Sequence, residues 1–355
     1  NPPWAFTKYV DWGENVKGYL DIVYLSENKE GERSLARQAG KINLFAIFSL
    51  RGIQILKNNG LFGYIIPNNI LRTTIYDIIR KKILSNYCIE QIVDLKEGVF
   101  NRVTASTLII IIKNDIPKKN TLIQIIDNED TVSIKNYKVS HINQLACLNN
   151  TSYVINIFTS PEIESIIQNL KKITKPLSEF LDVLNGIATR KNMAGILEEK
   201  KDVHSKPILF GKDISRYTYN WSGKYVNYVR SQLLRARDEG IFLKPEKLIM
   251  QRIGGILITA YDNKQFYTFN SVNNLIAKSV NDYSLKYFLG LLNSSFMGFY
   301  FITKFTNKSK LTVNITKTFL NELPIKTLDL NNTEDIEKHN KMVTLVEHML
   351  DLHKR

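Results

Sequence analysis

From about Leu35 to Asn58 the apolar residues Leu44, Phe45, Ile47, Phe48, Ile53, Ile55 and Leu56 recur along one broad face. That spacing predicts a helix, stopped by Asn59-Gly60. The next run, Leu61-Phe62-Gly63-Tyr64-Ile65-Ile66-Pro67, is short, unbroken and closed by proline, as a buried strand is. A helix over 71–84 then leads to a strand over 89–95, and Ser106 to Lys113 is a continuous β-branched run. Helix, buried strand, helix, buried strand is the order of an α/β sheet covered on both faces. The charged stretch Ser26 to Ser34, within residues 11–35, has no periodicity and reads as an exposed loop.

After about residue 150 the pattern changes. Pro161 to Thr174 reads as a helix, and from Lys175 onward short apolar runs alternate with turn signals, as in a β-rich or α+β module. The tail from Thr333 to Lys354 carries Ile336, Met342, Leu345, Val346, Met349, Leu350 and Leu352 at three- and four-residue steps. This predicts an amphipathic helix with Thr333 as N-cap, able to pack on its own domain or on another copy. The division expected is 1–150, a connecting helix over 151–174, a β-rich module over 175–330 and the terminal helix over 331–355.

Charge adds a partner class. Lys plus Arg total 48 against 34 Asp plus Glu, a net charge of +14 in 355 residues, which favours a polyanion and salt-dependent binding. Cys88 and Cys147 are too few for a disulfide framework and suit a reducing cytosol, so a cytoplasmic protein is expected. No signal peptide and no apolar run long enough to span a membrane is present. The histidines, His141, His204, His339, His348 and His353, lack metal-ligand spacing and read as surface residues. Asp21 with Glu27-Asn28-Lys29 lacks the flanking strand that a metal-dependent nuclease triad requires.

The strongest chemical signal is Asn1-Pro2-Pro3-Trp4. The exocyclic amine of adenine is a poor nucleophile because its lone pair is delocalised into the ring. The Asn1 side-chain oxygen and the Pro2 carbonyl can each accept one of its hydrogens, while two prolines stiffen the backbone without adding donors. Trp4 offers a flat face for a base, which must be flipped out of its duplex to be reached. A proline-rich turn with a buried tryptophan is the plain alternative.

Residues 1 to about 125 resemble the second half of the catalytic domain of an adenine-N6 DNA methyltransferase of the gamma order, as found in type IIG restriction-modification enzymes. The resemblance rests on Asn1-Pro2-Pro3-Trp4, on Gly63-Tyr64-Ile65-Ile66-Pro67-Asn68, and on Ile92 to Phe100 leading into Thr104-Ala105-Ser106-Thr107. It implies half of a Rossmann-like sheet, with Trp4 and Phe100 sandwiching the flipped adenine. It also implies S-adenosyl-L-methionine as methyl donor, bound mainly by a glycine loop and an acidic residue that precede the tetrad. No such Gly-x-Gly signature occurs here; Gly254-Gly255 reads as a turn or bulge. The chain therefore reads as a fragment, inactive alone, whose upstream methyltransferase segment comes from the same protein or a partner chain. Any nuclease would also lie upstream.

Residues 175–325 resemble the C-terminal target-recognition domain of such enzymes and of type I specificity subunits. The residues that carry this are Leu184-Asn185-Gly186-Ile187-Ala188-Thr189, Lys206 to Tyr217, Lys244-Pro245-Glu246-Lys247-Leu248-Ile249, Leu289-Gly290-Leu291-Leu292-Asn293-Ser294 and Leu323-Pro324-Ile325. Double-stranded DNA is the implied partner. Arginine can read guanine, asparagine adenine, and lysine tracks phosphate. The candidate contacts are Arg190, Lys191, Asn192, Arg216, Tyr217, Arg230, Arg235 and Arg237, with Lys304, Lys308 and Lys310 further on. Two other readings stay open: a non-catalytic specificity subunit, and a methyltransferase acting on protein glutamine or RNA.

Overall fold

Helix α1, Leu44–Gln54, begins where the Asn43 side chain accepts the Phe45 N–H at 3.3 Å and so caps the first turn. The computed structural model describes residues 1–6, 43–100, 105–128, 137–159, 161–190, 193–278, 282–306 and 313–353. The charged stretch 26–34, Asp21 and Thr104 lie outside them. The chain divides into two units, Asn1–Ser160 with Thr303–Ser309, and Pro161–Ile302 with Lys310–Arg355.

In the first unit β1 (Leu61–Pro67), α2 (Asp77–Asn86), β2 (Cys88–Lys96), β3 (Thr107–Lys113), β4 (Leu122–Asn128) and β5 (Tyr137–Asn143) follow in order. They form a sheet ordered β1-β3-β2-β4-β5, in which β2 and β4 run parallel and the other neighbours antiparallel. The β-branched run of β3 thus lies inside the sheet. Its Leu108, Ile110 and Ile112 join Ile89, Ile92, Ile123 and Ile125 in a core closed by Phe45 and Ile53 of α1 and Ile79 and Ile83 of α2.

The helix expected over 71–84 is broken into two 3-10 turns, Asn68–Leu71 and Thr74–Tyr76, before α2 starts at Asp77. Arg80 gives the physical reason. Its guanidinium is fully buried and donates to the Ile70 and Thr73 carbonyls at 2.7 and 2.9 Å, which a continuous helix would have used for its own ladder. The same group donates to the Ser152 and Tyr153 carbonyls, fastening the end of this unit to its start.

The second unit opens with α3 (Pro161–Ile173), capped in charge by Glu162 and Glu164 in its first turn and Lys171 and Lys172 in its last. β6 (Thr174–Pro176) follows, then β7 (Leu181–Asn185), β8 (Ile196–Leu197), β9 (Ser205–Leu209), β10 (Tyr225–Asn227), β11 (Lys247–Gln251), β12 (Ile253–Gly254), β13 (Thr259–Asp262), β14 (Tyr267–Thr268) and β15 (Val272–Ala277). Helices α4 (Leu285–Asn293) and α5 (Ser295–Phe305), strand β16 (Val313–Asn314), α6 (Lys317–Leu320), β17 (Pro324–Lys326) and α7 (Thr333–Leu352) complete the chain. Two four-stranded sheets result, β13-β11-β15-β7 and β14-β9-β10-β8, with the pairs β12-β16 and β17-β6 beside them. The architecture is α/β in the first unit and α+β in the second.

The motifs of this unit are mostly structural. The Asn293 carboxamide grips Thr259 from both sides, donating to its carbonyl at 2.9 Å and accepting its N–H at 3.0 Å, which ties α4 to β13. Gly290 lets α7 approach: a Cβ there would stand 2.6 Å from Met342 Sδ and 2.9 Å from Val346 Cγ2. Lys247 and Asp262 form a wholly buried ion pair at 2.5 Å, and the ammonium also donates to the Phe242 carbonyl. α7 is capped by Asn332, whose side chain accepts from Glu334 and Asp335, and not by Thr333. His339 is buried rather than superficial, its Nε2 accepting the Ser284 N–H at 3.2 Å. No helix among the described residues is long and apolar enough to cross a membrane, and none of their His, Cys, Asp and Glu side chains cluster to hold a metal ion.

Candidate base pocket and nucleic-acid interface

The tetrad lies in a short extended segment pinned to the start of α1. The Leu44 N–H donates to the Ala5 carbonyl at 2.7 Å, and Phe6 bridges Asn43 in antiparallel fashion. Pro2 is buried, Asn1 exposed, and the Trp4 ring packs on the core of the first unit. Phe100 meets Trp4 with ring centroids 5.2 Å apart and planes at 86°. The two rings that the sequence pairs are therefore together, but edge to face. A base between parallel rings needs about 3.5 Å on each side, so one ring must turn before it could be sandwiched.

What carries Phe100 there is the end of β2. Lys96 has a left-handed backbone, φ 59°, and its ammonium pairs with Asp94 at 2.7 Å and with Asp127, and lies over the Phe158 ring. Burial works against the Lys96 charge, but the bonds from Asp127 and Asp94 outweigh it and hold the ammonium above its ordinary range. Burial pushes the Asp94 carboxyl up, against the pull of Lys96. The residues after this knot lead directly into Phe100.

The first unit also holds buried polar atoms without partners among the described residues. Pro67 of β1 and Lys96 of β2 both stand opposite Thr107 of β3. Among the described residues the Thr107 Oγ1 there, and elsewhere in this unit the Trp4 Nε1, the Asn69 Oδ1 and two guanidinium nitrogens of Arg72, are buried and unbonded. Burial lowers the Arg72 pKa to about 10, which leaves it charged at neutral pH. Buried polar atoms are rarely left so.

In the second unit the turn after β7 gathers several predicted contacts. Ala188 exchanges backbone bonds with Arg235, Arg237 Nε donates to the Gly186 carbonyl at 3.2 Å, and the exposed Arg190 donates to the Ser231 carbonyl. Arg230 and Arg216 are exposed as well. Gly186 is required here: a Cβ would stand 2.2 Å from the Phe269 carbonyl oxygen and 2.4 Å from that of Thr268.

Tyr217 is placed differently. It takes φ 69°, donates its N–H to the Thr259 carbonyl, and its ring stacks on His353 at 6.2 Å. It borders a cavity of about 620 Å³ together with Tyr219, Tyr261, Lys264 and Lys286, away from the arginine-bearing turn in sequence and bonding. Lys304 belongs to the first unit, where its ammonium donates to Asn150 Oδ1 at 2.9 Å. Lys191, Asn192, Lys308 and Lys310 lie outside the described residues. Arg252 escapes the sequence reading because it stands apart from the other basic residues, between Gln251 and Ile253, yet its Nη1 donates to the Asn270 carbonyl, beside the same turn.

Comparison with known proteins places both units. Residues 1–100 match the family described as Eco57I restriction-modification methylase, and residues 206–325 the TaqI-like C-terminal specificity domain. A protein of Methanocaldococcus jannaschii, named for a type II restriction enzyme and methyltransferase, is 25% identical over 290 residues, covering 78% of this chain and 24% of that protein. Among solved structures, a nuclease-deletion mutant of the type ISP restriction-modification enzyme LlaGI with a DNA substrate mimic has TM-score 0.62 at 13% identity, over 99% of this chain and 41% of its own. The DrdV–DNA complex has TM-score 0.58 at 9% identity, over 99% of this chain and 44% of its own. The chain thus spans about a quarter of the curated relative and under half of each solved chain. In this order along the chain, its two stretches are similar to an Eco57I restriction-modification methylase and to a TaqI-like C-terminal specificity domain.

Proposed function

We propose that this chain is the acceptor and recognition part of a site-specific DNA methyltransferase acting on N6 of adenine, within a type IIG restriction-modification protein. The pairing of Trp4 with Phe100 beside the Asn1-Pro2 acceptors carries the reading. The adenine leaves the duplex at a cost of a few kcal/mol of stacking, and its ring settles against Trp4 and Phe100. The Asn1 side-chain oxygen and the Pro2 carbonyl accept the amine hydrogens, so that the nitrogen lone pair points away from the ring plane toward the incoming methyl group. The second unit selects the site, with Arg190, Arg216, Arg230, Arg235 and Arg237 facing the duplex.

S-adenosyl-L-methionine supplies the methyl group. The chain's described residues do not fit it: Gly63 and Gly98 open on free space and Gly52 and Gly60 are packed against neighbours, so none forms a cradle for the cofactor. Its site is assigned to a methyltransferase segment outside these 355 residues, in keeping with the share of the relatives that the chain spans. A cytoplasmic location goes with this role.

The test is selection from a randomised duplex pool with this chain, followed by methylation of the recovered sequence by the full-length protein. Enrichment of one short adenine-containing motif, methylated at N6, is expected. Methyl transfer to RNA or to protein glutamine, with no enrichment, overturns the reading.

A further inference from the structure

The segment 233–237 runs back along the turn after β7. Ala188 donates to the Arg235 carbonyl at 3.0 Å and Arg235 donates to the Ala188 carbonyl at 2.9 Å, while Arg237 is held by the Gly186 carbonyl two residues earlier. Gly186 in turn lies against the carbonyls of Thr268 and Phe269. One residue on, the Asn270 carbonyl accepts from Arg252 Nη1 at 3.1 Å, and the Ser271 carbonyl accepts the Arg252 N–H at 2.9 Å. Arginines from two separate segments are therefore fixed around one stretch of backbone. Among the described residues Arg237 bonds through Nε alone and Arg252 through Nη1 alone, which leaves their other guanidinium nitrogens to a guest.

No ion pair among the described residues answers this charge. The nearby Asp238 accepts the Gly240 N–H and Glu239 the Tyr267 hydroxyl. Among the described residues neither Arg235, Arg237 nor Arg252 is in an ion pair. Burial lowers the pKa of Arg237 and of Arg252, and neighbouring guanidiniums lower it further, Arg235 acting on both. Like charges held together without a counterion call for an external anion.

We propose that Arg235, Arg237 and Arg252 form one clamp for the phosphodiester backbone of DNA. The inference rests on the DNA-binding reading above and narrows it. A guanine edge satisfies one arginine bidentately and carries no net charge. Three mutually repelling guanidiniums are matched instead by phosphates, to which arginine makes its strongest paired bonds. The clamp therefore contributes affinity and register, and leaves sequence reading to other residues of the unit.

The test measures binding of a fluorescent random-sequence duplex to the full 355-residue chain by anisotropy across a salt series. The variants are R235Q, R237Q, R252Q and the charge-keeping R252K, with K171Q on α3 as control and thermal melting to confirm folding. Each Arg→Gln change should reduce the slope of log K against log salt by about 0.9 and weaken every duplex by the same factor, while R252K and K171Q leave the slope unchanged. If R252Q does not fold, the exposed Arg235 and the R237Q variant carry the test. Unchanged slopes in folded variants, or a changed sequence preference at constant slope, overturn the clamp alone. Failure of the unsubstituted chain to bind any duplex at low salt overturns the DNA reading and the clamp with it.

Discussion

Trp4 and Phe100 stand edge to face, 5.2 Å between centroids, so each ring fills the space that a stacked guest between them would need. If the pair holds a flipped base, removing one face costs about 1–3 kcal/mol of stacking, on the order of 5- to 150-fold in rate. Phe100→Leu in the full-length protein should lose that much single-turnover methyl transfer, while Phe100→Tyr retains most of it. Duplex affinity should stay nearly constant, since it comes mainly from phosphate contacts. A parallel loss in the leucine and tyrosine variants would show that the ring is there only to fill the core.

Arg80 spans the first unit from Ile70 and Thr73 to Ser152 and Tyr153 through one buried guanidinium. Burial lowers its pKa to about 9, and every polar hydrogen bonded there becomes a loss when the group is removed. Arg80→Met leaves those carbonyls without their donor and should lower stability by about 3–5 kcal/mol. Arg80→Lys restores charge but not the planar fork, and should fall between the two. Urea unfolding of the purified chain gives the ranking, and a lysine variant as stable as the unsubstituted chain would argue against the fork.

The regular elements were legible where one period dominated the sequence. The β-branched run 106–113 and the helical spacing over 161–173 form the elements they predict, and the run 61–67 forms a strand, though at the edge of the sheet with Leu61 exposed rather than buried throughout. The helix 71–84 failed as a prediction because Arg80, ten residues from Ile70, takes the carbonyls its ladder needed, and no local spacing reports a tertiary bond of that kind. The N-cap of α7 shifted by one residue because Asn332 and Thr333 are both good caps. At the candidate pocket the tetrad and Phe100 were readable as motifs, whereas the buried, unbonded side-chain atoms of Arg72 and Asn69 were not. Arg252 was silent for a related reason: its neighbours at the turn come from residues 186, 235 and 270, and only the folded chain brings them together.

Gly290 and Gly186 are both closed to a side chain, but by different atoms. At Gly290 the obstacle is the Met342 thioether and a Val346 methyl, which can move, so Gly290→Ala should cost about 1–3 kcal/mol as overpacking. The added Met342→Ala should recover part of it. At Gly186 the obstacle is the carbonyl backbone of Thr268 and Phe269, which cannot retreat without opening the turn that holds Arg237. Gly186→Ala should therefore be the more damaging change and should not be rescued by any single side-chain truncation. Differential scanning calorimetry of the single and double variants separates the cases, and an unaffected melting temperature for Gly186→Ala contradicts the close approach.

Alkaline stability follows from the buried tyrosines. Burial raises the Tyr76 hydroxyl to about 12, with the Asn43 backbone bond and Arg80 pulling in the opposite direction. Tyr287 and Tyr300 are likewise pushed up to about 12, chiefly by burial. In the unfolded chain a tyrosine ionises near its ordinary value of about 10. Between pH 10 and 12 the unfolded state therefore holds fewer protons than the native one, and stability falls as pH rises. Each such tyrosine contributes at most about 2–3 kcal/mol to that fall, at about 1.4 kcal/mol per pH unit of displacement. Tyr76→Phe should flatten the decline of melting temperature above pH 10 while leaving the values at pH 7 to 9 in their original order. Tyrosinate absorbance recorded through the same range gives the second readout. Full ionisation of every tyrosine at pH 10 to 11 in the still-folded chain would contradict the burial of these hydroxyls.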